Sequence, residues 1–355
     1  MISRSNVLGL LAASSAVAAC VAFSFAGAAH AQSSGGSLVV LSLGGSYQEA
    51  QSKEWFQPFA KASGVNVKEG AGYNFAKLRV MIKTGNVDTD VIDLSADSAA
   101  ALNDEQLLEP IDWSKIPASC QSGIPANLKL KYAFPINEWA MVMAYNTKRY
   151  TPQTAPHTWA DFWNAKVFPG RRVSIGAARP PVDQAALALN GDLAHLYPFD
   201  LDAAMKKMKS LGNDLIFVDG YAQVTQYLAD GEADLAIIPN GRIPPLVAAG
   251  KPIAINWNQH IRYANFFVIP KGAPDKDNAM RFLAWVCQPQ VLARLAEPTS
   301  YGPVNRDAYK YISPEVAKML PGNPDTSSLG REVDAVWMSR ERPEIARKWS
   351  SQTIQ

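Results

Sequence analysis

Between positions 219 and 250 the spacing of apolar residues changes twice. Val224, Tyr227 and Leu228 recur at helical intervals, which predicts a helix over 221–229 with one apolar face. Asp230-Gly231 ends it, and 233–238 is an apolar run of strand length. Pro239-Asn240-Gly241 predicts a turn. A second helix starts near Ile243, with Pro244 in the first turn, where a missing N–H is tolerated. Helix, buried strand, loop and helix form part of an open α/β sheet, and ligands of such sheets gather at the loops after the strands' carboxyl ends. Arg242 falls in that loop and is a candidate ligand contact, although a single loop arginine is more often solvated.

The same alternation runs through the rest of the chain. Residues 37–43 predict a strand, broken by Gly44-Gly45, and Ser46 with Glu49 predicts a capping box for the next helix. Trp55, Phe59 and Ala62 share a face of that helix, Pro58 predicts a kink, and Gly64 closes it. A strand over 65–68, a helix capped by Asn74 and a strand over 90–94 follow. Gly45, Ser46, Tyr47, Ser95 and Asp97 stand at the two strand-to-helix junctions, where N–H groups and short polar side chains point outward. Ordinary capping uses the same residue types.

An apolar run over 138–146 then gives way to a short capped helix at 158–163 and a strand over 173–178, which opens a second α/β unit. The run over 262–269 leads back out, and helices over 275–287 and 289–296 follow. The pattern predicts two α/β lobes with parallel, doubly wound sheets.

The amino terminus is not fold material. Arg4 precedes a long run of apolar and small residues, and Ala29-His30-Ala31 is an A-x-A cleavage pattern, so 1–31 reads as a secretory signal. A lipoprotein signal ending at Cys20 is the rival, but the apolar run continues beyond that cysteine. Cleavage removes one charged residue and leaves 33 basic against 32 acidic residues, which favours neither nucleic acid nor a membrane surface. Cys120 and Cys287 remain, and both a disulfide and buried free thiols stay open.

Enzyme readings find little support. There is no G-x-S-x-G, P-loop or H-E-x-x-H motif, and His157, His195 and His260 lack metal-ligand spacing. No cofactor or metal is expected. A secreted hydrolase with paired carboxylates stays open as an alternative of another class.

The chain resembles the periplasmic solute-binding receptors of ABC importers, in the branch that contains the polyamine-binding proteins. The resemblance rests on residues 58–67, Ala144-Tyr145-Asn146, 158–163 with Pro169-Gly170, 231–234, Asn240-Gly241, Ile269-Pro270, Tyr301-Gly302-Pro303 and Asn305, in that order. It implies a two-lobed clamshell of open α/β sheets joined by crossing hinge segments. Residues 37–144 with 266–320 are expected to form one lobe and 145–265 the other, with 321–355 a helical segment packed on both. The resemblance also implies a periplasmic, monomeric receptor without catalysis that delivers a small molecule to a membrane permease.

Carried over by position, the family's ligand site matches Tyr47, Ser95 and Tyr301. Elsewhere the sequence departs from a polyamine site. Asp97, Pro239, Tyr263 and Asn265 stand where aromatic or acidic groups are common, and 178–181 stands in place of an acidic pair. A buried ammonium needs a carboxylate partner. The cleft is expected to lose most of its carboxylates and to gain Arg179, Arg242 and Arg262, whose guanidinium forks suit ligand anions. Tyr47, Tyr221, Tyr263 and Tyr301 would supply contact area, and Asp97 would hold one ligand amine. The expected ligand is an anionic or zwitterionic solute such as an amino-acid conjugate or an opine-like compound. A polyamine and a ferric ion held by tyrosines remain the alternatives.

Overall fold

The computed structural model describes residues 35–176 and 180–353. Residues 1–31, expected to be a signal, and Arg179 lie outside these residues. Alternation of strand and helix holds as expected: β1 (Ser37–Ser42), β2 (Asn66–Ala71) and β3 (Val91–Ser95) run parallel, with β1 in the centre. Helix α1 (Gly45–Gln51) passes through a π turn at Ser52–Phe56 into α2 (Gln57–Ser63). The π turn precedes Pro58, which has no N–H to continue the i→i+4 ladder, so the expected kink takes this form. Trp55, Phe56 and Phe59 are buried there, whereas Ala62 faces solvent. Helix α3 (Phe75–Lys83) is capped by Asn74, which accepts the Lys77 N–H, and α4 (Ala96–Asp104) follows β3 directly.

Two long strands organise the molecule. β4 (Phe134–Asn146) and β8 (Ile253–Val268) are antiparallel neighbours and extend well beyond the apolar runs that predicted them. On one side β8 pairs with β3; on the other β4 pairs with β7 (Leu235–Pro239), followed by β5 (Arg172–Ile175) and β6 (Leu215–Val218). The described strands therefore form one sheet, β2-β1-β3-β8-β4-β7-β5-β6, rather than two separate ones. The short strands β9 (Gly302–Pro303) and β10 (Gly330–Glu332) add to β4 and β8. The crossing strands are antiparallel to each other and to β3 and β7, because each lobe is entered by one and left by the other.

Packing divides along these strands. Phe134 and Ile136 belong to the core built on Leu38, Trp55, Phe267 and Phe282. Met141, Met143 and Tyr145 belong to the core built on Trp159, Phe162, Met205 and Ile237. β4 thus changes core between Ile136 and Ala140, ahead of the 144/145 boundary read from the sequence. The C-terminal helix Ala335–Thr353 packs against α4 and against the helix Leu201–Lys209. A disulfide joins Cys120 to Cys287 with Cα atoms 5.6 Å apart, which resolves the open question in favour of pairing.

Candidate functional site

The carboxyl ends of β1 and β3 face those of β5, β6 and β7 across the crossing strands. Period-two alternation gives β4 and β8 two different polar faces. Asn137 pairs with Asn265 and Trp139 with Tyr263, all on one face. The Trp139 and Tyr263 rings stack at 4.5 Å, and the Trp139 Nε1–H donates to Asn265 Oδ1 at 3.3 Å. Glu138 and Arg262 alternate to the opposite face. There Glu138 accepts from Arg306, and Arg262 donates to Glu332 at 3.1 Å and to the Ser327 carbonyl at 2.5 Å. Arg262 is therefore not a cleft residue. It is held in a buried ion network behind the hinge.

On the first lobe, Asp93 lies inside β3 with no exposed surface. Its carboxylate accepts from the Tyr47 hydroxyl at 2.9 Å, Gln51 Nε2 at 2.8 Å and Asn265 Nδ2 at 3.2 Å. Burial pushes its pKa up to about 7, against the lowering effect of these three hydrogen bonds. The Tyr47 hydroxyl also accepts from Asn137 Nδ2 at 2.7 Å, so it is engaged on the protein side and Tyr47 offers the cleft its ring. Burial, and then Asp93, raise the Tyr47 pKa.

A cavity of about 250 Å³ opens beside that ring, between the lobes. It is lined by Ser46, Tyr47 and Tyr301 from one side and by Thr225, Pro239 and Arg242 from the other. The Tyr47 and Tyr301 rings lie 5.4 Å apart. Arg242 is exposed to the cavity and makes no hydrogen bond or ion pair among the described residues. Gly241 allows the close approach of the lobes, since a Cβ there would lie 2.9 Å from the Thr299 carbonyl oxygen. Asn240, fully buried, fixes the loop by accepting from the Ala140 N–H and donating to the Ser300 and Met319 carbonyls.

Several expectations need correction. Ser46 caps no helix: Gly44 is the N-cap, and its N–H is taken by Gln48 Oε1 at 3.0 Å, which also occupies the first junction. Gly45 lines a separate outer recess with Gln48, Glu49 and Glu69. Ser95 donates its hydroxyl to Ser98 at 3.0 Å, beside Asn265 in the β3–β8 ladder. Asp97 is bound by Arg342 of the C-terminal helix, so its carboxylate is not reserved for a ligand amine. Tyr263 and Asn265 do not line the cavity: Tyr263 is buried in the second-lobe core with its hydroxyl on Asp183, and Asn265 is buried between Asp93 and Trp139. Tyr221 packs where the two second-lobe cores meet.

Among the described residues no carboxylate lines the cavity, and the nearby acids are buried. Beyond Asp93 and Asp97, Asp183 is buried just after Pro181 and accepts from the Tyr263 hydroxyl at 2.7 Å and the Tyr197 hydroxyl at 2.8 Å. Sequence reading missed Asp93, Asn137, Trp139, Asp183 and Arg342. A carboxylate inside the apolar run Val91–Ser95 was the available signal for Asp93. The alternation Asn137-Glu138-Trp139 was the signal for Asn137 and Trp139.

Residues 54–323 match the family model of bacterial extracellular solute-binding proteins. The chain belongs to that family. It is 31% identical over 334 residues to the gamma-aminobutyric acid-binding protein of Pseudomonas aeruginosa, covering 92% of this chain and 93% of the relative. The spermidine/putrescine-binding periplasmic protein of Escherichia coli K12 is 25% identical over 284 residues, 77% of this chain and 80% of that one. Among solved structures, the periplasmic binding protein AgtB of Agrobacterium tumefaciens R10, in complex with agropinic acid, aligns with a TM-score of 0.74. It is 32% identical and covers 90% of this chain and 99% of its own. The chain is thus a two-lobed substrate-binding protein of the ABC-transporter type, as the resemblance in its sequence implied.

Proposed function

We propose that this protein is the periplasmic receptor of an ABC importer and captures a small zwitterionic or anionic solute of amino-acid type between its lobes. The observation that carries this reading is Arg242. It is a guanidinium without a protein partner among the described residues, facing a cavity whose other wall carries two tyrosine rings. A ligand carboxylate satisfies its fork. The rings of Tyr47 and Tyr301, 5.4 Å apart, cover the apolar part of the solute. The names of two relatives, which bind gamma-aminobutyric acid and agropinic acid, agree with a ligand bearing a carboxylate.

A polyamine is the second reading, favoured by the presence of the buried acids Asp93, Asp97 and Asp183. Arg242 opposes it, because a dication leaves that guanidinium unmatched and is repelled by it. In this account the mature chain begins at Gln32, acts as a monomer, catalyses nothing and hands its solute to a membrane permease. The lobes close about hinges in β4 and β8 near Asn137–Ala140 and Arg262–Asn265.

Mass spectrometry of small molecules released on denaturing freshly purified protein tests the reading. A carboxylate-bearing metabolite at near one equivalent is expected; putrescine or spermidine in its place overturns it.

A further inference from the structure

The C-terminal helix Ala335–Thr353 carries an arginine in the middle of its buried stripe. Met338, Ile345 and Trp349 recur at intervals of seven and four and pack into the second-lobe core. Trp337 lies 4.4 Å from the Phe199 ring, and Trp349 meets Phe217 edge-on at 4.8 Å. Trp349 also covers the end of β5, where a Cβ on Gly176 would come within 2.5 Å of the indole. The helix therefore buries its apolar stripe in the second lobe while it also packs against α4 of the first. Arg342, four residues after Met338 and three before Ile345, sits on that same stripe, yet its side chain is half-exposed and reaches the first lobe. There Arg342 Nη2 donates to Asp97 Oδ2, in the first turn of α4 at the ligand end of β3. The Asp97 side chain is only 5% exposed.

We propose that Arg342 is a specificity residue of the receptor: a tethered cation that neutralises Asp97 from the C-terminal helix and so discriminates against dicationic solutes. This deepens the reading of the site as one for a zwitterion or an anion, and rests on it. A buried carboxylate at the ligand end of a strand attracts a ligand ammonium, because an ion taken out of water needs a counter-ion nearby. Here the protein supplies part of that counter-charge, on a helix separate from both crossing strands. A diamine entering the cleft must compete with a covalently attached guanidinium whose effective concentration is high. A monoamine with a carboxylate has Arg242 for its anion and needs less from Asp97. Specificity then comes from an element that opposes the wrong ligand as well as contacts that favour the right one.

The test is calorimetric titration of putrescine into ligand-stripped full-length mature protein, wild type against Arg342→Gln. Affinity for putrescine is expected to rise at least about tenfold in the variant. Arg342→Lys should restore discrimination, and Arg342→Gln combined with Asp97→Asn should lose the gain. A purely structural strap predicts instead that Arg342→Gln lowers putrescine affinity or leaves it unchanged, and either result overturns the proposal. Thermal unfolding of each variant shows whether it is folded. Tight putrescine binding by the wild type would contradict the proposed function, while the ratio of variant to wild type still decides the role of Arg342.

Discussion

The Tyr47 hydroxyl donates to the Asp93 carboxylate at 2.9 Å, and so a side chain of the ligand cavity is fixed by an acid that never reaches the surface. The pair explains why Tyr47 presents a ring to the cleft, since its hydroxyl also accepts from Asn137. It also ties three elements together, because Asn265 of β8 and Gln51 of α1 donate to the same carboxylate.

Asp93 gives the fold a pH dependence of definite sign. Its carboxyl pKa rises to about 7 in the folded protein, so between about pH 4 and pH 7 the native state holds a proton that the unfolded chain has released. Stability from this group is full below the unfolded pKa and is lost as pH rises through the folded one. Relative to Asp93→Asn, the wild type should lose up to about 1.4 kcal/mol per pH unit across that window. Urea unfolding of both proteins at several pH values measures it, and parallel curves would refute the assignment.

Arg242 bears on affinity rather than on folding, since it makes no bond within the described protein. Arg242→Ala should weaken binding of a carboxylate ligand by about 1.5–3 kcal/mol, the range of a charge-assisted hydrogen bond. The unfolding midpoint of the unliganded protein should stay unchanged. Calorimetry and a thermal melt together check the two halves of this statement.

Much of the fold was legible because helix and strand alternate with clear periods, as at Tyr221–Ala229 and Leu235–Pro239. The long crossing strands were read short for a physical reason. Asn137, Glu138, His260, Arg262 and Asn265 interrupt their apolar pattern, since both faces there are buried against polar networks. The cavity residues Tyr47, Arg242 and Tyr301 were found from loop position and from family resemblance. Asp183 and Arg342 were not, because their partners Tyr197, Tyr263 and Asp97 lie on other elements and such pairing leaves no periodic signal.

Behind the hinge, Glu138 is the shared acid of Arg306 and Arg262. Glu138→Ala leaves Arg306 without its counter-ion and Arg262 with Glu332 alone, and should destabilise the protein by about 1–3 kcal/mol. Denaturant unfolding of the variant measures this. A cost below about 1 kcal/mol would place the network among surface ion pairs of little worth.

The Cys120–Cys287 disulfide closes a loop of 167 residues within the first-lobe core. Replacing both cysteines with alanine should cost about 2–5 kcal/mol. Free thiols detected by a thiol reagent in the native, unreduced protein would contradict the pairing.

The central claim is that the cleft selects a solute carrying a carboxylate. Calorimetric titration of ligand-stripped protein with γ-aminobutyrate, agropinic acid and putrescine tests it most directly. The account predicts that at least one of the two carboxylate-bearing compounds binds about tenfold more tightly than putrescine, and that Arg242→Ala removes most of this preference. Putrescine binding tighter than both, and undiminished by Arg242→Ala, would contradict it.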